Sequence, residues 1–447
     1  MIPRSRLFIL VTAGAAVVVA AAVALAMTLI RPTAAPRPDP VAATVPVALS
    51  ADGVPKDFSI GVVLTLGQSG EPGSEYNRAA QGAVVAAERF AQGGITVALS
   101  AQNDRGTEEG ARAAVQALAE QGASGVIVAS TGPQARAAAK TAGELGLPAI
   151  LPYAEPAEPA PATWTMWPAR ASVEAALRTT LEGKKRVLLV NDGGQTPSVQ
   201  ISQTISRKAF EDVMGLAREA AIQTGDQLRP PAEDAPAGAA STTVAEAADA
   251  VIVSAATPQR LARLVQALQS RNVSVPLVLP DGATAPAFTS TLAEVDGTAS
   301  GQLVSYSPTG GDAAALQQDA QGRGMSAFLS AVRLASSNSE ITNLTGDAPF
   351  SADAWAVDTG SHDAVVALVK AAALAGTGDP ARVGAALGTM SFGPGEGIAG
   401  PALDFSRSAA LKAAAVPVYA SSQDLGLRPA DENAPRLVWV PAPPAGP

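Results

Sequence analysis

From Asp57 onward, short apolar runs alternate with segments whose apolar residues recur at helical spacing, and a layered α/β architecture is what satisfies both periods in turn. Phe58–Leu66 reads as a buried strand, and Ser74–Phe90 as a helix with Ala80, Val84 and Ala87 on one face. Ile95–Ser100 is the next strand, and Thr107 caps a helix that runs to Gln121 and stops at Gly122. Gly125–Ala129 is a third strand, Pro133–Leu145 a helix with Pro at its first position, and Pro148–Leu151 a fourth strand. After the Pro- and Glu-rich loop Tyr153–Thr163, the alternation resumes with helix Ser172–Glu182, strand Arg186–Asn191 and helix Val199–Ala220. A second Pro/Ala-rich loop, Asp226–Ser241, precedes Ala250–Ser254, Pro258–Ser270, Pro276–Leu279 and Gly301–Tyr306. Helical stretches Ala313–Ala335 and Ala352–Ala375 lead into a Gly-rich segment and two late apolar runs, Leu403–Phe405 and Ala415–Ala420. Strand–helix alternation with short loops is the signature of a parallel, doubly wound sheet, here in two units of similar size.

Composition narrows what such units can do. The 447 residues include no Cys and one His, which removes thiolate nucleophiles, disulfides, Fe–S clusters and multi-His metal sites together. A net charge of −9 gives no footprint for a phosphate backbone, so nucleic acid is not an expected partner. Upstream of the α/β units, Leu7–Ile30 is a 24-residue apolar run behind Arg4 and Arg6. It is long enough to cross a bilayer and predicts a signal-anchor helix at 1–30, with the remainder extracytoplasmic. Ala24-Leu25-Ala26 is a passable cleavage site, in which case the chain would be secreted. Residues 31–56 carry Pro32, Pro36, Pro38, Pro40, Pro46 and Pro55 and read as a stiff spacer, and 428–447 as a loose Pro-rich tail.

Few groups in the chain carry chemistry. Gly395-Glu396-Gly397-Ile398-Ala399-Gly400 fits a dinucleotide-type glycine pattern but opens no helix, so a glycine-rich turn is the better reading. His362, the only imidazole, sits in a helical run, and no nucleophile–base pair can be assembled around it. Neither a cofactor nor a metal is expected. More informative are Ser130 and Thr131, which stand after the third strand and before a helix. Their hydroxyls and the free N–H groups of the first helical turn can hold a carboxylate, or can simply cap the helix. Asp281 occupies the equivalent place in the second unit, where it can pair with an ammonium or form an ordinary Asp-Gly turn.

With those two turns in place, the chain from about Asp57 to Leu427 resembles the type I periplasmic binding proteins of the branched-chain amino-acid class. The resemblance lies in the order and spacing of several pieces. They include Ile60-Gly61-Val62-Val63-Leu64, Gly82-Ala83-Val84-Val85-Ala86-Ala87-Glu88, Asn103-Asp104 and Gly125-Val126-Ile127-Val128-Ala129-Ser130. Others are Pro276-Leu277-Val278-Leu279-Pro280-Asp281-Gly282, His362-Asp363-Ala364-Val365 (where the family usually has Tyr-Asp-Ala-Val) and Phe392-Gly393-Pro394-Gly395. The resemblance implies two Rossmann-like lobes joined by three crossovers near Trp167, Ser307 and Met390. Lobe 1 would be 57–167 and 308–390, and lobe 2 would be 168–307 and 391–427. It further implies that Ser130 and Thr131 bind a ligand α-carboxylate, that Asp281 binds its α-ammonium, and that Tyr153, Ala154 and Glu155 line the cleft.

The chain departs from the family at Glu155, where a small hydroxyl residue is usual, and at Ala256 or Thr257, where an aromatic is. Asn191-Asp192-Gly193-Gly194 likewise lacks the usual Tyr-Gly. These departures argue against an unaltered branched-chain amino-acid ligand. The expected function is therefore a membrane-tethered, non-enzymatic solute-binding protein that captures an amino acid or similar small polar molecule for an ABC permease. The alternative is a transport-inactive sensory or scaffold ectodomain of the same fold.

Overall fold

The computed structural model describes residues 47–67, 70–154, 160–300, 302–431 and 434–441; the Leu7–Ile30 segment and Glu155 lie outside the described residues. A first sheet takes β1 (Ser59–Leu64), β2 (Ala98–Asn103), β3 (Gly125–Val128), β4 (Ala149–Leu151) and β5 (Thr163–Thr165). All are parallel, in the order β2-β1-β3-β4-β5. Between them run α1 (Gly82–Gln92), α2 (Glu108–Glu120) and α3 (Gly132–Glu144).

Successive strand residues serve opposite layers, as the two-residue period requires. Val63, Val126 and Val128 share a core with α2 and α3. Ile60, Ile127 and Ile150 share one with α1 and with helices that arrive much later in the chain. Burial on both faces explains why β1 and β3 are continuous apolar runs rather than alternating ones.

The second unit comprises α4 (Arg170–Thr180), β6 (Val187–Asp192), β7 (Gln203–Ser206), α5 (Val213–Gln223), β8 (Ala250–Ala255), α6 (Pro258–Ser270), β9 (Leu277–Val278), α7 (Pro286–Glu294) and β10 (Leu303–Ser307). Strands β10, β9, β8, β6 and β7 are parallel neighbours in that order. Leu188, Val190, Val251 and Val253 pack with α5, α6 and α7 on one face. Leu189, Ile252 and Val278 pack with α4 on the other.

After β10 the chain returns to the first sheet with α8 (Ala320–Ser337), α9 (Thr359–Ala375) and α10 (Pro380–Leu387). Among the described residues no single helix is long and apolar enough to cross a membrane. Helix α9 is instead a core helix, buried from Ser361 to Val369.

Four differences from the sequence reading have physical causes. Val199–Ala220 is not one helix: Gln203–Ser206 forms the edge strand β7, and α5 starts only after Asp212, whose Oδ1 accepts from Gly215 N–H at 2.7 Å. Gln203–Ser206 pairs in register with Leu188–Asn191 of β6 and buries Ile205 alone, so the sheet edge and not a helical face orders this segment. Ser74–Phe90 is helical only from Ala79 on, so residues 70–78 are a loop.

The hairpin β11 (Ser391–Phe392) and β12 (Leu403–Asp404) sits in the core of the first sheet with Phe392, Leu403 and Phe405. The third crossing therefore falls just before β13 (Val416–Ser421) and not near Met390. Finally, β14 (Val438–Pro441) pairs antiparallel with β13, so the tail beyond Arg428 is tied down there. Between β13 and β14 the chain crosses to the first lobe, where Leu427 packs with α1 and α8. Arg428 forms a two-point ion pair with Asp312 at 2.6 and 2.8 Å and donates to the carbonyls of Ala354 and Val357.

Helices α1 and α9 cross with almost nothing between them. A Cβ at Gly82 would lie 2.3 Å from the Asp358 carbonyl oxygen and 3.0 Å from the His362 nitrogen, both rigid backbone. Gly82→Ala is expected to destabilise the fold by about 1–3 kcal/mol through overpacking, despite alanine's better helix propensity. The measurement is urea unfolding, with a lower midpoint at unchanged slope; an unchanged midpoint would mean the two helices can separate freely.

Candidate functional site

In the first sheet, strand order reverses between β1 and β3, so the loops after these strands border the crevice where doubly wound sheets take ligands. Ser130 and Thr131 sit there, between β3 and α3. Thr131 occupies the N-cap position with extended backbone, yet its hydroxyl makes no capping bond. It donates instead to Glu75 Oε2 at 3.0 Å. The same carboxylate oxygen accepts the Gly73 N–H at 2.8 Å, and Glu75 is only 6% exposed. Ser130 is fully buried and its Oγ has no hydrogen-bond partner. Nearby Asp104 has its carboxyl pushed up by burial, against the pull of the Gly106 N–H.

The loop bearing Glu75 also delivers Tyr76. Gln134 Nε2 anchors this loop by donating to the Pro72 carbonyl at 2.7 Å, and Asn77 Nδ2 by donating to the Thr65 carbonyl at 2.6 Å. The Tyr76 ring stacks on Tyr153 with centroids 4.4 Å apart and meets Trp167 edge-on at 5.5 Å. Tyr153 donates to Asp358 Oδ1 at 2.7 Å and lies 2.9 Å from the Ser361 hydroxyl. Asp358 is the N-cap of α9, accepting from Gly360 N–H at 2.9 Å, so one carboxylate both starts a core helix and orients an aromatic.

From the second lobe comes Asp281, in the turn after β9 and half-buried. It accepts from the Trp167 indole at 2.8 Å and from Gly282 N–H at 3.1 Å. At the carboxyl end of β6, Asp192 is already paired with Arg260. A cavity of about 440 Å³ opens beside these groups, lined by Tyr76, Tyr153, Trp167, Thr284, Asp358 and Arg428 among others. That size falls in the range of small-molecule sites.

Burial and neighbouring carboxylates set the electrostatics around Tyr76 and Tyr153. Burial pushes the Tyr76 hydroxyl far up, and the carboxylates of Asp281, Glu75 and Asp358 push it further. Burial raises Tyr153 likewise, with Asp358 adding to it. Burial also raises Asp281, against the Trp167 indole and Gly282 N–H. It lifts the Asp358 carboxyl to about 7, opposed by Tyr153, Gly360 N–H and the Arg428 charge.

Of the residues expected from sequence, Thr131, Tyr153 and Asp281 are brought to this cleft by their contacts with Glu75, Tyr76 and Trp167. Ser130 lies beneath it. Ala154 packs against the apolar cluster of α2 and α3, so its side chain belongs to the first-lobe core. Glu155 lies outside the described residues. Glu75, Tyr76, Trp167 and Asp358 escaped sequence reasoning. The first two were hidden by reading Ser74 as a helix start. The available signals were Gly70, Pro72 and Gly73, which break a helix, and the Asp358-Thr359-Gly360 cap.

His362 takes no part in the cleft. It is fully buried, with Nδ1 2.7 Å from Asp363 Oδ1, Nε2 2.9 Å from Arg89 Nη1 and Phe328 edge-on at 5.1 Å. Burial lowers its pKa, and that of Arg89 to about 10. Asp363 accepts the N–H groups of Ala399 and Gly400, which accounts for the glycine-rich segment as a turn folded onto α9. Among the described residues no group of three or more His, Cys, Asp or Glu is gathered to hold a metal ion.

No family model and no curated protein matches the chain. Solved structures do. A leucine-binding protein LivK from Thermotoga maritima superposes with a TM-score of 0.55 at 17% identity, covering 81% of this chain and 95% of that one. A branched-chain amino acid transporter substrate-binding protein LivJ from Streptococcus pneumoniae, in complex with isoleucine, gives 0.55 at 17% identity, covering 86% and 99%. A type 1 periplasmic binding protein from Bordetella pertussis gives 0.56 at 14% identity, covering 86% and 99%. The chain thus has the α/β fold of the type I periplasmic binding proteins, and its neighbours in fold are ligand-binding receptors.

The raised Asp358 pKa has a defined effect on stability. The unfolded carboxyl ionises near pH 4, whereas the folded one holds its proton to about 7. The native state therefore binds more protons in this window, and its stability falls as pH rises from about 4 through 7. Asp358→Asn keeps an acceptor for Gly360 and Tyr153 but cannot ionise. Relative to wild type it should gain on the order of 2 kcal/mol between pH 4 and 8, after discounting for partial solvent access. Parallel urea-unfolding profiles across that range would return Asp358 to the ordinary carboxylate range.

Proposed function

We propose that the chain is an extracytoplasmic solute-binding protein that captures a small polar ligand between its two lobes and delivers it to an ABC importer. One observation carries this reading. Glu75, Tyr76 and Tyr153 from the first lobe and Asp281 and Thr284 from the second converge on one aromatic-lined cleft beside a cavity of small-molecule size. Of the residues expected from sequence, Thr131, Tyr153 and Asp281 are the proposed contacts, with Asp281 as the seat of a ligand ammonium, whereas Ser130 and Ala154 support the cleft from the first-lobe core. Binding and hinge closure are the whole mechanism, with no covalent step. The apolar Leu7–Ile30 run behind Arg4 and Arg6 supports an N-terminal anchor that holds the domain at the outer face of the membrane. The fold neighbours support the receptor role, since the Streptococcus pneumoniae protein is a transporter substrate-binding protein.

A second reading, a transport-inactive sensory or scaffold ectodomain, draws support from how the cleft groups already pair with one another. Trp167 holds Asp281, Thr131 holds Glu75, and the Arg428 strap joins the lobes.

A thermal-shift screen of the full chain in detergent separates the two. A true ligand at a hundredfold excess over Kd stabilises by about 2.7 kcal/mol, and Asp281→Ala abolishes that shift for amine-bearing compounds. Silence from amino acids, amides, amines and short peptides alike would leave the scaffold reading.

A further inference from the structure

The geometry points to a narrower ligand class for this cleft: an organic cation without a free carboxylate, such as an amine, a polyamine or a quaternary ammonium compound. This inference rests on the interlobe binding reading above and says what is bound there.

The place where a ligand carboxylate would meet the Thr131 hydroxyl is taken by the protein's own Glu75 carboxylate. That carboxylate is held from two sides, by Thr131 at 3.0 Å and by the Gly73 N–H at 2.8 Å. The loop that carries it is seated tightly. A Cβ at Gly73, where φ is +104°, would lie 2.1 Å from Gln134 Nε2 and 2.6 Å from Thr65 Oγ1. A second carboxylate at this place would face an anion in a poorly screened, buried setting.

The remainder of the cleft adds attraction for positive charge. Tyr76 and Trp167 offer aromatic surface at the edge of the cavity, and ring faces attract ammonium groups, more so when water is excluded. Three carboxylates act on the Tyr76 hydroxyl. Asp358 also lines the cavity, while the nearby Arg428 charge is matched by Asp312. Glu75 from the first lobe and Asp281 from the second both act on Tyr76, whose ring lines the cavity, so an ammonium against that ring is flanked by negative charge from each lobe.

The test is isothermal titration of the full chain in detergent micelles at pH 7.5. The probes are putrescine, spermidine and choline, with leucine and glutamate as carboxylate-bearing competitors. At least one cation is expected to bind at least a hundredfold tighter than leucine. Glu75→Gln should narrow that preference at least tenfold, by weakening the cation and admitting leucine. Thr131→Val, which removes the hydroxyl but keeps the Glu75 charge, should preserve it and serves if Glu75→Gln does not fold. Leucine binding as tightly as the cations, or a preference untouched by Glu75→Gln, would overturn the inference while leaving interlobe binding intact. Failure of every probe, competitors included, would remove both.

Discussion

At the amino end of α9, one carboxylate ties together parts of the chain far apart in sequence. Asp358 caps the helix through Gly360 N–H and fixes the Tyr153 hydroxyl at the floor of the cleft. Its carbonyl oxygen lies against Gly82 of α1, close enough to exclude any Cβ there. Its neighbour Val357 offers a carbonyl to Arg428 of the returning tail. The core of the first lobe, the orientation of the stacked aromatics and the attachment of the strap therefore share one point. The carboxyl is held there at a cost, since burial has raised its pKa to about 7.

Around that point the cleft is built from aromatic faces and carboxylates, with their hydrogen-bond donors supplied by the protein itself. Trp167 donates to Asp281, Thr131 to Glu75 and Tyr153 to Asp358. Such pairing solves the problem of burying polar groups, because an unsatisfied carboxylate would be far more costly than a paired one. For the ligand proposed above it also sets a condition: any newcomer must offer more than the internal donors already give. A positive charge can do so without displacing them, by adding to acceptors that retain free lone pairs.

The sheet-forming runs were legible in the sequence because both faces of β1, β3, β6 and β8 are buried, which leaves continuous apolar stretches such as Ile60–Leu64 and Val251–Val253. Thr131 and Asp281 were legible by position, since both follow strands at the carboxyl edge of a sheet. β7 was not, because an edge strand buries one residue in four and its Ile205 fits a helical spacing as well as an alternating one. Glu75 and Tyr76 were obscured for a different reason. Their loop borrows its order from distant partners, Gln134, Thr65 and Thr131, and no local pattern announces those contacts. The strap is a similar case: a Pro-rich tail looks loose until Arg428 meets Asp312, 116 residues away.

That strap changes the mechanics of the two lobes. Strands β13 and β14 belong to the second sheet, yet the segment joining them packs on the first. The chain thus makes two further passes beyond the three crossovers. A pair of bodies on closely spaced links keeps one easy rotation and some freedom to twist. A link attached well apart from the others removes the twist and sets an end stop for the rotation. For the lobe closure proposed above, the strap would act as such a link, held at Arg428 by Asp312 on one side and by the β13–β14 pairing on the other.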